Sequence, residues 1–343
     1  MDPLNIYSTA VLTNVVAYLP QAQSFLLDRF FTNEQRSLTE TISFDVEAGA
    51  RRMAPFVSPL VQGKIVASKG YSTKTFQPAY VKDKRPFDPN KALKRTIGEQ
   101  IGGVLTPMER TQINLRTELA DQIDMITRRL EWMAASALVS GKVTVVGDEY
   151  PAVVVDFGRK ASHTIVKASG SKWSDTNVNP LNDLQDWALS LVLKDSGAMS
   201  RDVVMTVDVW NVFRENQFIK SRWNSLNANR ADISMNAAIE TGGVFMGGID
   251  GFNIYVYADW FVDPVDNVEK PMIPAGTVIL AGAQVEGVRA FGAVRDEEAG
   301  FQPMPFFPKS WVEKDPSVRY LLTQSAPLVY PQRPDATLTA TVL

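Results

Sequence analysis

The chain has no cysteine and only one histidine, His163, in 343 residues. The first absence removes disulfides, thiolate metal sites and cysteine nucleophiles together, and fits a protein made in a reducing compartment. The second excludes histidine-rich metal centres. No apolar run reaches the roughly 18 residues that mark a bilayer-spanning helix, so no membrane partner is expected. The start, Met1-Asp2-Pro3, lacks a basic stretch followed by an apolar one, and no secretory signal is expected. A basic excess is missing too: 35 Lys and Arg stand against 38 Asp and Glu, for a formal net charge of -3. Dedicated nucleic-acid-binding domains carry a strongly basic face, so DNA near this protein is not expected to be gripped tightly.

Catalytic signatures are lacking as well. No serine stands in a G-x-S-x-G frame, and His163, beside Ser162 in a polar segment, reads as a surface histidine. Gly242 to Gly247 has the spacing of a phosphate loop, but Gly248-Ile249 follow where a lysine and a hydroxyl residue are needed. That stretch reads as a turn between strands. Asp259, Asp263 and Asp266, and the Asp296-Glu297-Glu298 group, lack the order of a calcium loop and read as solvated turns. No catalytic, cofactor-binding or metal-binding residue is expected, and no cofactor. The densest basic stretch, Lys82, Lys84, Arg85, Lys91, Lys94 and Arg95, is interrupted by Asp83 and Asp88. Its expected counter-groups are carboxylates of a partner subunit, or water.

What is present is an ordinary globular composition, 45% hydrophobic and 21% charged, with element patterns of a mixed α+β protein. Phe25, Leu26, Phe30 and Phe31 form one apolar face of a short helix within residues 1–40. Residues 41–90 change to short alternating segments punctuated by proline and glycine, a two-stranded excursion. Two strands alone are marginal in water, so something must cover them. Phe56, Val57, Pro59, Tyr71, Phe76 and Tyr80 are the candidate contacts, either with a neighbouring molecule or with the chain's own core. Thr106-Pro107-Met108-Glu109 is a capping box with proline at the first helical position, and the apolar spacing after it predicts a helix over 107–139. Beyond it, strands are expected at 142–146, 152–155, 203–207, 252–257 and 277–280. Helices are expected at 184–192 and after Asp208, which could cap the second one, with a polar linker at 169–180. The last strand, Leu338 to Leu343, is expected to return to the region of the long helix.

Several of these stretches resemble the lambda-type tailed-phage major capsid proteins. They are Phe56-Val57-Ser58-Pro59-Leu60-Val61-Gln62-Gly63, the run from Phe76 to Lys82, the helix around Arg110 to Glu131, Val153 to Arg159, Pro308 to Trp311, and Gln324 to Leu328. Asp83 departs from the family pattern, which has proline there. The resemblance implies a Hong Kong 97-like fold with an arm at 1–40, an extended loop at 41–90, a peripheral domain at 91–181, an axial domain at 182–300, and a return to the peripheral domain at 301–343. It further implies a structural, non-enzymatic protein that forms hexamers and pentamers of an icosahedral head around double-stranded DNA. Scaffolding protein, portal and a decoration protein are implied as partners, and the virion capsid, with host cytoplasm during assembly, as the location. The rival readings are an encapsulin-type compartment shell and, from another class, an α/β hydrolase or phosphate-binding enzyme.

Overall fold

The computed structural model describes residues 6–20, 24–39, 41–47, 56, 57, 59, 62, 71–87, 105–147, 150–227, 239–240, 242–314 and 317–343. Its longest element is the spine helix, Pro107–Ser140, 34 residues and roughly 50 Å long. The capping box closes in both directions: the Glu109 amide donates to the Thr106 hydroxyl at 3.3 Å, and the Thr106 amide to the Glu109 carboxylate at 2.7 Å. Gly141, left-handed at φ 68°, ends the helix. The Arg159 guanidinium then donates to the last carbonyls, Leu138 and Val139. A cation belongs at this end of the helix dipole, although burial lowers its pKa to about 10.

The spine joins two apolar clusters. Leu115, Leu119 and Ile123 pack with Leu12 and Val16 of the helix Thr9–Tyr18, with Leu19 just beyond it, and with Phe87 and Leu321. About two to four turns further on, Leu130, Met133, Ala134 and Leu138 enter the main core. Within the first cluster, beside Ile123, lies Gln122, fully buried. Its amide nitrogen donates to the carbonyls of Asp83 and Leu321, and its oxygen accepts from the Thr323 hydroxyl at 2.6 Å. A Gln122→Leu variant should lose about 2 kcal/mol in urea unfolding, because the buried Thr323 hydroxyl is left without its acceptor.

The main sheet has seven strands in the order Thr164–Val166, Leu338–Thr341, Thr277–Ala281, Asp202–Thr206, Phe252–Tyr257, Gly243–Ile249, Ile239–Glu240. Val203, Val204 and Met205, and all of Thr277–Ala281, are buried, which explains their unbroken apolar runs. The hairpin between Gly243–Ile249 and Phe252–Tyr257 turns at Asp250-Gly251, both at positive φ. The stretch Gly242 to Gly247 is therefore mostly strand rather than the expected turn. Gly243 is needed because a side chain there would overlap the Phe25 ring. The C-terminal strand pairs with Thr277–Ala281 and Thr164–Val166, and Thr339 donates to Leu138 of the spine at 2.7 Å.

Three local expectations need correction. Asp208 does not cap its helix, Val207–Glu215; its carboxylate instead accepts from the Gly276 amide across the sheet at 2.6 Å. The stretch 169–180 is not a free linker, since Trp173 is buried, stacks on Trp187 and donates to Asp183 at 2.8 Å. The helix expected at 184–192 is longer, running from Pro180 to Ser196 with a widened turn over Trp187–Leu193.

Candidate assembly interface

The excursion is rooted in its own subunit. Ile42–Glu47 pairs antiparallel with Tyr71–Phe76, from Ile42 opposite Phe76 to Glu47 opposite Tyr71. Ile42 and Phe76 are both buried in the main core, and the Lys74 ammonium donates to the Asp156 carbonyl at 2.6 Å. Phe76 is thus committed to its own chain and is not open to a neighbour; it shares a face of the ladder with Ile42, and that face points inward. Tyr80 is half-buried, its hydroxyl donating to the Ala293 carbonyl at 2.7 Å and accepting from the Arg295 amide at 3.1 Å. Phe56, Val57 and Pro59 are exposed, Phe56 completely. The Tyr71 side chain lies outside the described residues. An uncovered phenylalanine leaves about 1.5–3 kcal/mol of burial unrealised.

The end of the 41–90 stretch pairs within its own subunit. Val81–Phe87 pairs with Ser317–Ser325, which pairs with Phe307–Lys314. Asp83 stands in the middle of this strand, opposite Thr323. The counter-groups of Arg85 are Asp83, Glu118 and Asp121 of its own chain rather than those of a partner subunit. The Lys84 ammonium lies 4.1 Å from the Tyr320 ring centroid. Lys91, Lys94 and Arg95 lie outside the described residues.

A second apolar surface escaped sequence reasoning. In the hairpin of Trp260–Val262 with Glu269–Pro271, Phe261 turns inward toward Trp132 of the spine. Trp260, Val262, Val265 and Val268 are exposed. The signal was the alternation across Trp260-Phe261-Val262, but two-residue periodicity does not say which face is wet. The nearby aspartates are neutralised locally: Lys270 pairs with Asp263 and Asp266, each at 2.7 Å.

His163 is fully buried, contrary to the surface reading, with Nδ1 2.9 Å from the Thr337 carbonyl and Nε2 3.1 Å from Asp195. It ties the C-terminal segment to the helix ending at Ser196. Asp296 is held by Lys309, and among the described residues no cluster of three or more histidine or acidic groups could hold a metal ion.

A rooted excursion that carries uncovered apolar residues, a long spine and a central mixed sheet are the parts that the resemblance to the Hong Kong 97-like fold leads one to expect. The family model for phage major capsid protein E matches residues 8–342, and the chain belongs to that family. It is 29% identical over 340 residues to the major capsid protein of Escherichia phage N15, covering 97% of this chain and 98% of the relative. Against the major capsid protein of Escherichia phage lambda the identity is 28% over 340 residues, with the same coverage. Among solved structures, a candidate capsid protein of a prophage in E. coli CFT073 superposes with a TM-score of 0.76 at 23% identity, covering 98% of this chain and 99% of that one. The mature capsid of bacteriophage PhiM1 gives 0.52 at 10% identity over 94% of this chain and 88% of that one.

Proposed function

We propose that this chain builds the head of a lambda-like tailed phage, joining copies of itself into hexamers and pentamers of an icosahedral shell around double-stranded DNA. The observation that carries this is the near end-to-end match to phage major capsid proteins, 97% of the chain against 98% of the relative. Residues 1–40 act as the arm, 41–90 as the extended loop, 91–181 as the peripheral domain, 182–300 as the axial domain, and 301–343 as the return. Phe56, Val57 and Pro59 meet a sister subunit, with the Trp260 hairpin as a further contact.

Such contacts are heterologous, one patch of a subunit meeting a different patch of the next, and a rotation that closes them gives rings. Each contact can be weak because many act together on one particle. No bond is made or broken, so the protein works as a structural component and not as an enzyme. Assembly takes place in host cytoplasm, with scaffolding, portal and decoration proteins as partners. A net charge of -3 suits an inner wall that contacts packaged DNA without sequence-specific binding. Electron microscopy of the expressed protein, alone and with its scaffolding partner, should show rings or closed shells. A species that stays monomeric under both conditions would refute the reading.

A further inference from the structure

The arm segment is a plug in a groove of its own subunit. The helix Phe25–Phe30 buries Phe25, Leu26, Leu27 and Phe30, and Phe31 follows them into the core. The groove is cut to fit: added side chains at Gly243 and Gly287 would overlap the rings of Phe25 and Phe31. Residues Asn33–Arg36 then add a parallel strand to Gly287–Phe291.

At the floor of this groove is Glu131, on the spine and 1% exposed. Its two oxygens accept from the Leu26 amide at 2.9 Å, the Leu27 amide at 2.8 Å and the Tyr257 hydroxyl at 2.9 Å. Arm, spine and main sheet thus converge on one carboxyl group. Among the described residues no cation forms an ion pair with it. Arg29 of the arm turns to Asp202 and to the face of Tyr255, Asp28 pairs with Arg289, and Arg129 of the spine lies over Trp132. The remaining charge nearby, Asp259, is of the same sign. Tyr257 keeps its proton throughout, because burial and the two carboxylates push its phenol up.

We propose that Glu131 is a proton-operated latch for the N-terminal arm, seating the segment Phe25–Arg36 when protonated and loosening it when ionised. Burial without a cation opposes the charge, and three donors favour it. Burial prevails, and the carboxyl moves from its ordinary value of 4.5 to about 7. Its folded value is raised, so its contribution to docking is complete below pH 4.5 and is lost as pH rises through about 7. Releasing the arm would return the group to water and toward its ordinary value.

The test is hydrogen exchange at the Leu26 and Leu27 amides of the full-length chain, corrected for intrinsic exchange, from about pH 5.5 to about pH 8.5. Protection should fall about thirtyfold across that range in the wild type. It should be flat in Glu131→Gln, which also separates this group from the chain's one histidine. Tyr257→Phe removes a donor to the charged form, so its midpoint should move to higher pH, and this variant serves if Glu131→Gln does not fold. Wild-type protection that does not change with pH, or an equal response in Glu131→Gln, would overturn the latch. Neither result bears on shell assembly, since the readout is taken on the subunit.

Discussion

A chain in which residues 48–70 are replaced by an Asn-Gly turn should fold to a stable subunit and fail to close shells. Glu47 and Tyr71 face each other across the ladder, so a two-residue turn joins them without disturbing the register. Everything that anchors the excursion survives: Ile42 and Phe76 remain in the core, and Lys74 keeps its bond to Asp156. The cut must stop short of Phe76, because removing a buried phenylalanine costs about 3–5 kcal/mol and would confuse unfolding with failed assembly. What disappears includes Phe56, Val57 and Pro59, all exposed. Urea unfolding should shift by less than about 1 kcal/mol, since Phe56, Val57 and Pro59, the described apolar residues that are lost, are exposed. Particle yield in electron microscopy should drop to background, because the same contact is lost at every position of the shell. A truncated chain that cannot fold would show that the excursion serves its own core, and one that still closes shells would show that it is dispensable.

The parts of the fold legible in the sequence are those set by neighbours in the chain. The spine helix is the clearest: its capping box, its proline and its closing glycine all lie within the helix or one residue beyond it. The errors share a cause, which is burial by residues far away. His163 looked exposed because Ser162 and Lys160 are polar, yet the groups that enclose it are Thr337 and Asp195. Arg85 looked available to a partner because its carboxylates Glu118 and Asp121 lie 33 and more residues on, brought near by the pairing of Val81–Phe87 with Ser317–Ser325. Phe76 and Phe56 have equal hydrophobicity and similar proline-rich settings. Only the register opposite Ile42 sends one inward, and register depends on both strands. Glu131 could be placed on the helix but not known to be buried, since its partners Leu26 and Tyr257 are about a hundred residues away on either side.

The groove makes the second large prediction: Gly287→Val should destabilise the subunit by about 3 kcal/mol or more, beyond the usual range for overpacking. Gly287 opens a strand that takes the arm strand Asn33–Arg36 on one edge and Pro327–Pro331 on the other, so it cannot retreat without breaking a ladder. A Cβ there would overlap the Phe30 carbonyl oxygen and the Phe31 ring. The ring could turn, but the carbonyl is backbone. Relief therefore requires the arm helix to leave, exposing the apolar side chains of Phe25, Leu26, Leu27, Phe30 and Phe31, each worth about 1.5–3 kcal/mol when fully buried. Gly248→Ala is the matched control: its Cβ would lie at ordinary contact distance, 3.6 Å from the Phe252 carbonyl, and should change stability by less than about 1 kcal/mol. If urea unfolding places the two variants within experimental error of each other, the arm does not depend on this groove. If Gly287→Val alone falls and protease now cuts between Ser24 and Arg36, the loss has come from the arm leaving its seat, and the pH response of the Leu26 and Leu27 amides should vanish with it.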